Sequence, residues 1–489
     1  GISDFTRTMD SANPFCDRIV GIDCTVPVLG GGEVPYLNLD NAASTPALRD
    51  VMDAVERFMP YYSSVHRGTG FKSRLSTDAY ERAHRIIGRF VGADLRSNTV
   101  IFGKNATEAI NKLSYRLKYP RDAVIISTQL EHHSNDLPWR EHAEVVYVRA
   151  TPEGRLDEED YDRQLERYAN RIAIVAVCGA SNVSGFVQPI HRLARKAHDA
   201  GAMILVDAAQ LAPHRPVDMK PDDDPEHLDF VAISAHKMYA PFGTGALVGP
   251  KAVFLESAPE YRGGGTVDVV TLDLVIWAGL PDREEAGSPN VVGAVAMAAA
   301  ANAMLGMGME RIADHENDLV AYALERLGAI PGVTIYGETD PARSRDKVGV
   351  IPFNLDGMHH ALVASILGYE GGIGVRHGCF CAHPYVVHLL GLSEDETAVW
   401  RDQAALGDKS RMPGMVRASF GCYNTVEDID RLVEMLERIL RRDYRGEYRE
   451  IGRSGEYVPV GYEDRFDGLL QLDVPTSTIA WAEGRACGG

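Results

Sequence analysis

The chain has 489 residues, 45% apolar and 24% charged, with Lys+Arg 50 against Asp+Glu 69 for a net charge of −19. Such a length exceeds one ordinary core, so two or more domains are expected. So acidic a balance argues against nucleic acid or an anionic membrane as partner, and no apolar run approaches the roughly 20 residues of a membrane span. Gly1 to Cys24 lacks a basic stretch followed by an apolar core, so no secretory signal is read there. The cysteines (Cys16, Cys24, Cys178, Cys379, Cys381, Cys422, Cys487) are too few and scattered for a disulfide framework and fit a reducing, cytoplasmic setting.

In chain order, residues 1–35 read as an irregular arm ending in Gly30-Gly31-Gly32. Apolar positions at helical spacing follow over 47–61 and 76–92. This segment, 36–96, is expected to pack with a smaller C-terminal unit, because strand-like patterning begins only near residue 97. From there to about 250, short β-branched runs alternate with amphipathic stretches. The runs are 124–126, 145–148, 172–177, 202–206, 230–234 and 245–248, with helices expected over 107–117 and 189–200. The alternation predicts an α/β fold, a mostly parallel sheet covered by helices, in a large domain spanning 97–305. Long helices are expected over 292–330, the first nearly apolar all round and therefore buried. Strands near 333–336 and 348–354 and helices near 358–368 and 425–441 make 306–441 a smaller α+β domain. Residues 394–413 read as an inserted polar loop, and 442–489 as an extension without assigned structure.

The strongest chemical signal is Ser234-Ala235-His236-Lys237, directly after a strand-like run. A lysine at a strand end among small residues suits imine formation once desolvation lowers its pKa. Upstream, Val206-Asp207-Ala208-Ala209-Gln210 puts an acid at the end of another buried strand. An acid and an imine-forming lysine on neighbouring strand ends match the needs of pyridoxal 5′-phosphate (PLP), whose ring nitrogen requires an acid to act as an electron sink. Thr107 stands at a helix start, where a hydroxyl and free amides suit a phosphate. The His132-His133 pair lacks a Cys or acid cluster, so stacking on an aromatic ring is the better reading than a metal site; no metal ligands are assigned anywhere.

Together these segments resemble the class V aminotransferase group of fold-type I PLP enzymes, within it the cysteine desulfurase and selenocysteine lyase branch. The resemblance rests on Leu39-Asp40-Asn41-Ala42-Ala43, Val65-His66-Arg67-Gly68, Ala106-Thr107-Glu108-Ala109, Glu131-His132-His133, Ser181-Asn182-Val183-Ser184-Gly185, the Asp207 and Lys237 segments, Glu285-Ala286-Gly287-Ser288-Pro289-Asn290, Val375-Arg376-His377-Gly378 and Arg417-Ala418-Ser419. It spans roughly 35–441 and implies a seven-stranded sheet in the large domain. It further implies that Lys237 carries the cofactor and moves the Cα proton, that Asp207 meets the ring nitrogen, that Gln210 bonds the ring oxygen and that His132 stacks on the ring. Ala106, Thr107, Ser234 and His236 would hold the phosphate, with Ser288 reaching the phosphate of a neighbouring subunit in a homodimer. Asn182, Arg376 and His66 would face the substrate, Arg376 as a fork on its carboxylate.

Cys381, in Cys379-Phe380-Cys381-Ala382-His383-Pro384, stands at the branch's catalytic position. The reaction implied takes L-cysteine to L-alanine and leaves the sulfur on Cys381 as a persulfide, for a protein acceptor to collect; selenocysteine and cysteine sulfinate are further substrates in view. Cys379 departs from the usual histidine-bearing pattern and reads either as a resolving thiol or as an inert one. Ser288 stands where threonine is usual. The alternative on the same scaffold is a PLP-dependent C–S lyase, epimerase or other biosynthetic amino-acid enzyme.

Overall fold

The structure, a computed structural model, describes residues 15–472. Cys487 and the outer parts of the expected arm and extension lie outside the described residues. Seven strands form the main sheet: β1 (Asn98–Gly103), β2 (Val124–Thr128), β3 (Glu144–Val148), β4 (Ile172–Cys178), β5 (Ile204–Asp207), β6 (Phe230–Ser234) and β7 (Gly245–Pro250). Their spatial order is β1-β7-β6-β5-β4-β2-β3. All neighbours are parallel except around β7, which runs against both β6 and β1.

Side chains alternate across this sheet as the pleat demands. Val124, Ile126, Ile204, Val206, Val231 and Ile233 enter one core; Ile125, Leu205, Phe230 and Ala232 enter another on the opposite face. Both faces are therefore covered, which explains why these strands are continuously apolar rather than alternating with polar residues. The helix Ala106–Arg116 covers the second face through Ala109, Ile110 and Leu113.

The helix Val291–Met307 is buried on most of its circumference, as its composition predicts. It ends at Gly308, whose φ of 91° is open to glycine without strain, and the next helix, Met309–Gly328, leaves at 76°. That second helix belongs to a smaller unit. There Val333–Ile335, Val350–Leu355, Met415–Ser419 and Arg376–Gly378 form an antiparallel sheet under the helices His360–Gly371 and Val426–Leu440. Among the described residues no single helix is long and apolar enough to cross a membrane.

Two expectations need correction. The segment 36–96 does not pack as a whole with the smaller unit. Its helices Arg49–Phe58 and Phe71–Phe90 bury Val51, Val55, Tyr80 and Ile87 in the large core, against Val291–Met307. Only its start joins the small unit, where Leu37–Asn38 pairs with Ile373–Gly374 and Leu39 is buried. An amphipathic helix needs an apolar partner, and the Ala-rich helix offers the wider one. The stretch 394–413 is likewise not all loop. Glu394–Ala405 is a helix started by a Ser393–Glu396 capping box, and Glu394, Asp395 and Glu396 sit at its positive end. The polar composition hid a helix with no buried face.

Beyond the last long helix, Tyr448–Glu450 and Tyr457–Pro459 form a hairpin on His360–Gly371. It is tied down by Tyr448 to Glu370 at 2.5 Å and by Ser365 to the Tyr457 carbonyl at 2.8 Å.

Candidate active site

Parallel α/β sheets bind ligands outside the carboxyl ends of their strands. Here β2, β4, β5 and β6 end at Thr128, Cys178, Asp207 and Ser234. A cavity of about 390 Å³ lies there. Of the residues expected at a site, Ala106, Thr107, His132, Asn182, Asp207, Gln210, Ser234, His236, Lys237, Arg376 and Cys381 all line it. Ser288 and His66 do not. Ser288 is exposed on a loop elsewhere on this chain. His66 is turned toward Tyr80, ring centroids 5.9 Å apart, and lies 3.9 Å from Asp282, so within one chain it is not a substrate residue.

Lys237 sits on one turn of 3₁₀ helix, Ala235–Lys237, leaving β6. The N-terminal segment clamps this turn: Thr45 N–H and the Ser44 hydroxyl donate to the His236 carbonyl at 2.9 and 3.0 Å, and Tyr239 N–H donates to the Thr45 hydroxyl at 2.7 Å. Among the described residues Lys237 Nζ forms no hydrogen bond or ion pair. Burial lowers its ammonium to about 8, Arg417 adding to the effect while Asp207 and Cys381 oppose it. Asp207 is 6% exposed and accepts one backbone bond, from Ala209 N–H at 3.1 Å; burial raises its carboxyl above the usual range.

Burial lowers the imidazole of His132 to about 3, with Lys237 next in effect, so the ring is neutral. Its Nδ1 accepts from Ser134 N–H at 3.0 Å. Behind it, the buried Glu131 is raised to about 8 and held by Thr128 and by Asn135 at 2.8 Å, so at neutral pH it is a carboxylic acid. Gln210 gives one amide hydrogen to the Ala42 carbonyl at 2.6 Å, which fixes its reach and leaves the second for a ligand.

At the other wall, the helix Ala106–Arg116 points its first turn inward. Asn105 caps it through Glu108 N–H at 2.9 Å, and Ala106 N–H donates to Ser234 Oγ at 2.8 Å. Thr107 and Ser134 share a hydroxyl pair at 2.7 Å. This helix start comes close because β7 opens with Gly245: a Cβ there would lie 2.5 Å from Asn105 Cα.

Arg376 and Arg417 are direct register partners on adjacent antiparallel strands. Arg376 is half exposed and pairs with Asp40 at 2.8 Å. Arg417 is 3% exposed, lies 4.7 Å from the Phe380 ring centroid and gives Nη1–H to the Asn182 carbonyl at 3.0 Å; its Nε–H has no partner. Burial lowers its guanidinium to about 10. The expected role of Arg376 thus has a better-placed rival, signalled in the sequence by one arginine inside the apolar run Met415-Val416-Arg417-Ala418.

Phe380 and Cys381 both adopt left-handed backbone, φ 55° and 56°, which costs non-glycine residues energy and must be held from outside. Asn182 donates to the Phe380 carbonyl at 2.7 Å and His133 N–H to the Cys381 carbonyl at 2.6 Å. The effect is an exposed Cys381 thiol beside the cavity. Cys379 is buried, donates to the Pro413 carbonyl at 3.1 Å, and is pushed up to about 12 by burial, so it stays a thiol.

The aminotransferase class-V family pattern matches residues 37–432. A cysteine desulfurase of Haloferax volcanii is 35% identical over 435 residues, covering 87% of this chain and 94% of the relative. One of Pectobacterium atrosepticum is 36% identical over 419 residues, covering 83% and 94%. The solved apo cysteine desulfurase of Thermococcus onnurineus superposes with a TM-score of 0.73 at 30% identity, over 83% of this chain and 95% of that one. With the match running from the first small-unit strand to the last long helix, the chain belongs to the aminotransferase class-V family.

Proposed function

We propose that this chain is a PLP-dependent cysteine desulfurase, taking L-cysteine to L-alanine with the sulfur held on Cys381. The observation that carries the reading is one cavity that brings an unpaired, depressed-pKa Lys237, a buried Asp207 with no side-chain partner, and the exposed Cys381 thiol to a single space.

PLP fits the residues present. Asp207 would meet the ring nitrogen, neutral His132 the ring face, Gln210 the ring oxygen, and Ala106, Thr107, Ser234 and His236 the phosphate. When bound, PLP supplies an aldehyde for the substrate amine and a sink for electrons released at Cα. Lys237 would be the base that takes the Cα proton and returns one; a value near 8 suits both directions at neutral pH. Arg417 is assigned the substrate carboxylate: its unpartnered Nε–H and buried position favour a bidentate grip, with Arg376 at the mouth.

The Cys381 thiolate then attacks the substrate sulfur. The new S–S bond forms as the Cβ–S bond breaks, and the electron pair passes to Cβ, which takes a proton to complete alanine. The strained turn holds Cys381 toward the cavity while leaving it open to an acceptor. Cys379 serves as a structural thiol. The same reading includes a homodimer: the hairpin 267–277 exposes Val269, Val270, Leu272, Leu274 and Ile276, a surface that a second copy would cover, and Ser288 would act across it. A cytoplasmic setting accords with the free thiols.

The test is release of alanine and sulfide from L-cysteine, with a reductant, by PLP-loaded wild type beside Cys381→Ala. Both products from wild type and neither from the variant are expected. Unchanged turnover by Cys381→Ala would transfer the assignment to a C–S lyase.

A further inference from the structure

At the opposite rim of the main sheet, near the amino ends of β5 and β6, three side chains from three elements converge. His198 lies in the last turn of the helix Ile190–Asp199, His227 in the acidic loop between β5 and β6, and Asp229 immediately before β6. Their ligand atoms all lie within 4.8 Å of one another.

The hydrogen positions follow from the partners. His198 Nδ1 faces the Pro225 carbonyl at 2.8 Å and His227 Nδ1 faces the Asp224 carbonyl at 2.6 Å. A carbonyl only accepts, so each Nδ1 carries the hydrogen. In the neutral ring each Nε2 is then a bare lone pair. Yet those two nitrogens point at the carboxylate of Asp229, at 2.7 Å to Oδ2 and 3.0 Å to Oδ1. Lone pairs aimed at a carboxylate repel unless a cation stands between them. Two protons are the metal-free alternative, and Asp229 favours them by raising both imidazoles, but they would place like charges on rings stacked 4.3 Å apart. One divalent cation satisfies both nitrogens and the carboxylate together.

We propose that His198 Nε2, His227 Nε2 and Asp229 bind one divalent transition-metal ion of the zinc class, with solvent completing the shell. Imidazole and carboxylate donors suit this class, and an Nδ1–H held by a backbone carbonyl is the support that orients a metal-binding imidazole. The carboxylate is itself braced by Ile204 N–H at 2.8 Å. The loop contributes Asp222, Asp223, Asp224 and Glu226, a field that attracts a dication. Each histidine side chain is 19% exposed, so an ion can enter. The site is structural: it staples a helix, a loop and a strand at the rim away from Lys237. It was hidden in the sequence because His198 stands far along the chain from the His227-Leu228-Asp229 pair.

The experiment uses PLP-loaded full-length protein, stripped with a chelator and titrated with Co²⁺ and Zn²⁺. Wild type is expected to take one ion per chain at this site, with a Co²⁺ spectrum free of thiolate charge transfer. Zn²⁺ should raise its unfolding temperature. His227→Gln and His198→Gln should each bind more than about 100-fold more weakly. They should lose the thermal shift and keep the rate of alanine release, so the outcome is separate from that of the desulfurase reading. Absence of stoichiometric binding, a thiolate band pointing to Cys379 and Cys381, or undiminished affinity in both folded variants would overturn the proposal.

Discussion

β5 and β6 carry a buried aspartate at each rim of the sheet, and the two are treated oppositely. Asp229 lies at the amino rim. Burial pushes its carboxyl up, but the close contacts of His198 and His227 and the bond from Ile204 N–H outweigh that and leave it lowered. At the carboxyl rim Asp207 receives one backbone bond and stays raised. The chain surrounds the first acid with two imidazoles and a backbone amide, a set that also suits a cation. It withholds such partners from the second, and likewise from Lys237 Nζ and Arg417 Nε. Asp207, Lys237 and Arg417 line one cavity with bonding capacity that the chain does not use, and a ligand there would take it up.

The largest test of this contrast is Lys237→Ala. Alanine release from cysteine should fall by more than about 10³-fold. The urea midpoint of the cofactor-free protein should not fall, because a buried, unpaired ammonium is removed; a clear loss of stability would break the comparison. Next, Arg417→Lys should lower kcat/KM by about 100-fold, the worth of a charged bidentate bond, while Arg376→Lys costs less than about tenfold because that residue is half exposed. Steady-state kinetics on both variants would sharpen the assignment or reverse it. At the satisfied rim, Asp229→Asn should destabilise by about 1–3 kcal/mol in urea unfolding without lowering kcat.

The smallest effect concerns pH. Uptake of PLP by the apoprotein, followed by absorbance, should rise as Lys237 deprotonates, with a midpoint near pH 8. Arg417→Met removes a cation that lowers Lys237 and should move the midpoint upward. The stability sign is also fixed. The folded value lies below the ordinary 10.5, so the unfolded chain binds the proton more tightly, and this group's contribution to unfolding free energy rises between about pH 8 and 10.5.

Much of this was readable in the chain. The continuous apolar runs of the main sheet are long and unambiguous, and Asp207 and Lys237 stand next to two of them. Arg417 stands in a motif that assigns it no role, since a sequence does not reveal which of two arginines in cross-strand register is buried. Where Arg49–Phe58 and Phe71–Phe90 dock was illegible, because an amphipathic face specifies that it needs a partner and not which one. Glu394–Ala405 escaped because it buries no side chain and its start is set by capping. Only the family resemblance separates Cys379 from Cys381 in the sequence; in the structure the left-handed turn leaves the first buried and the second exposed.

Gly245 bears on how the cavity keeps its length. The helix Ala106–Arg116 rests there on bare backbone, and just before the same strand the Thr244 carbonyl accepts from Ala235 N–H at 2.9 Å, on the turn that presents Lys237. The two ends of the cavity are thus gauged from one strand by main-chain contact, like jaws on a single rule. Side-chain rotamers around the cavity can change without altering that span, whereas a single methyl group at position 245 would force the jaws apart.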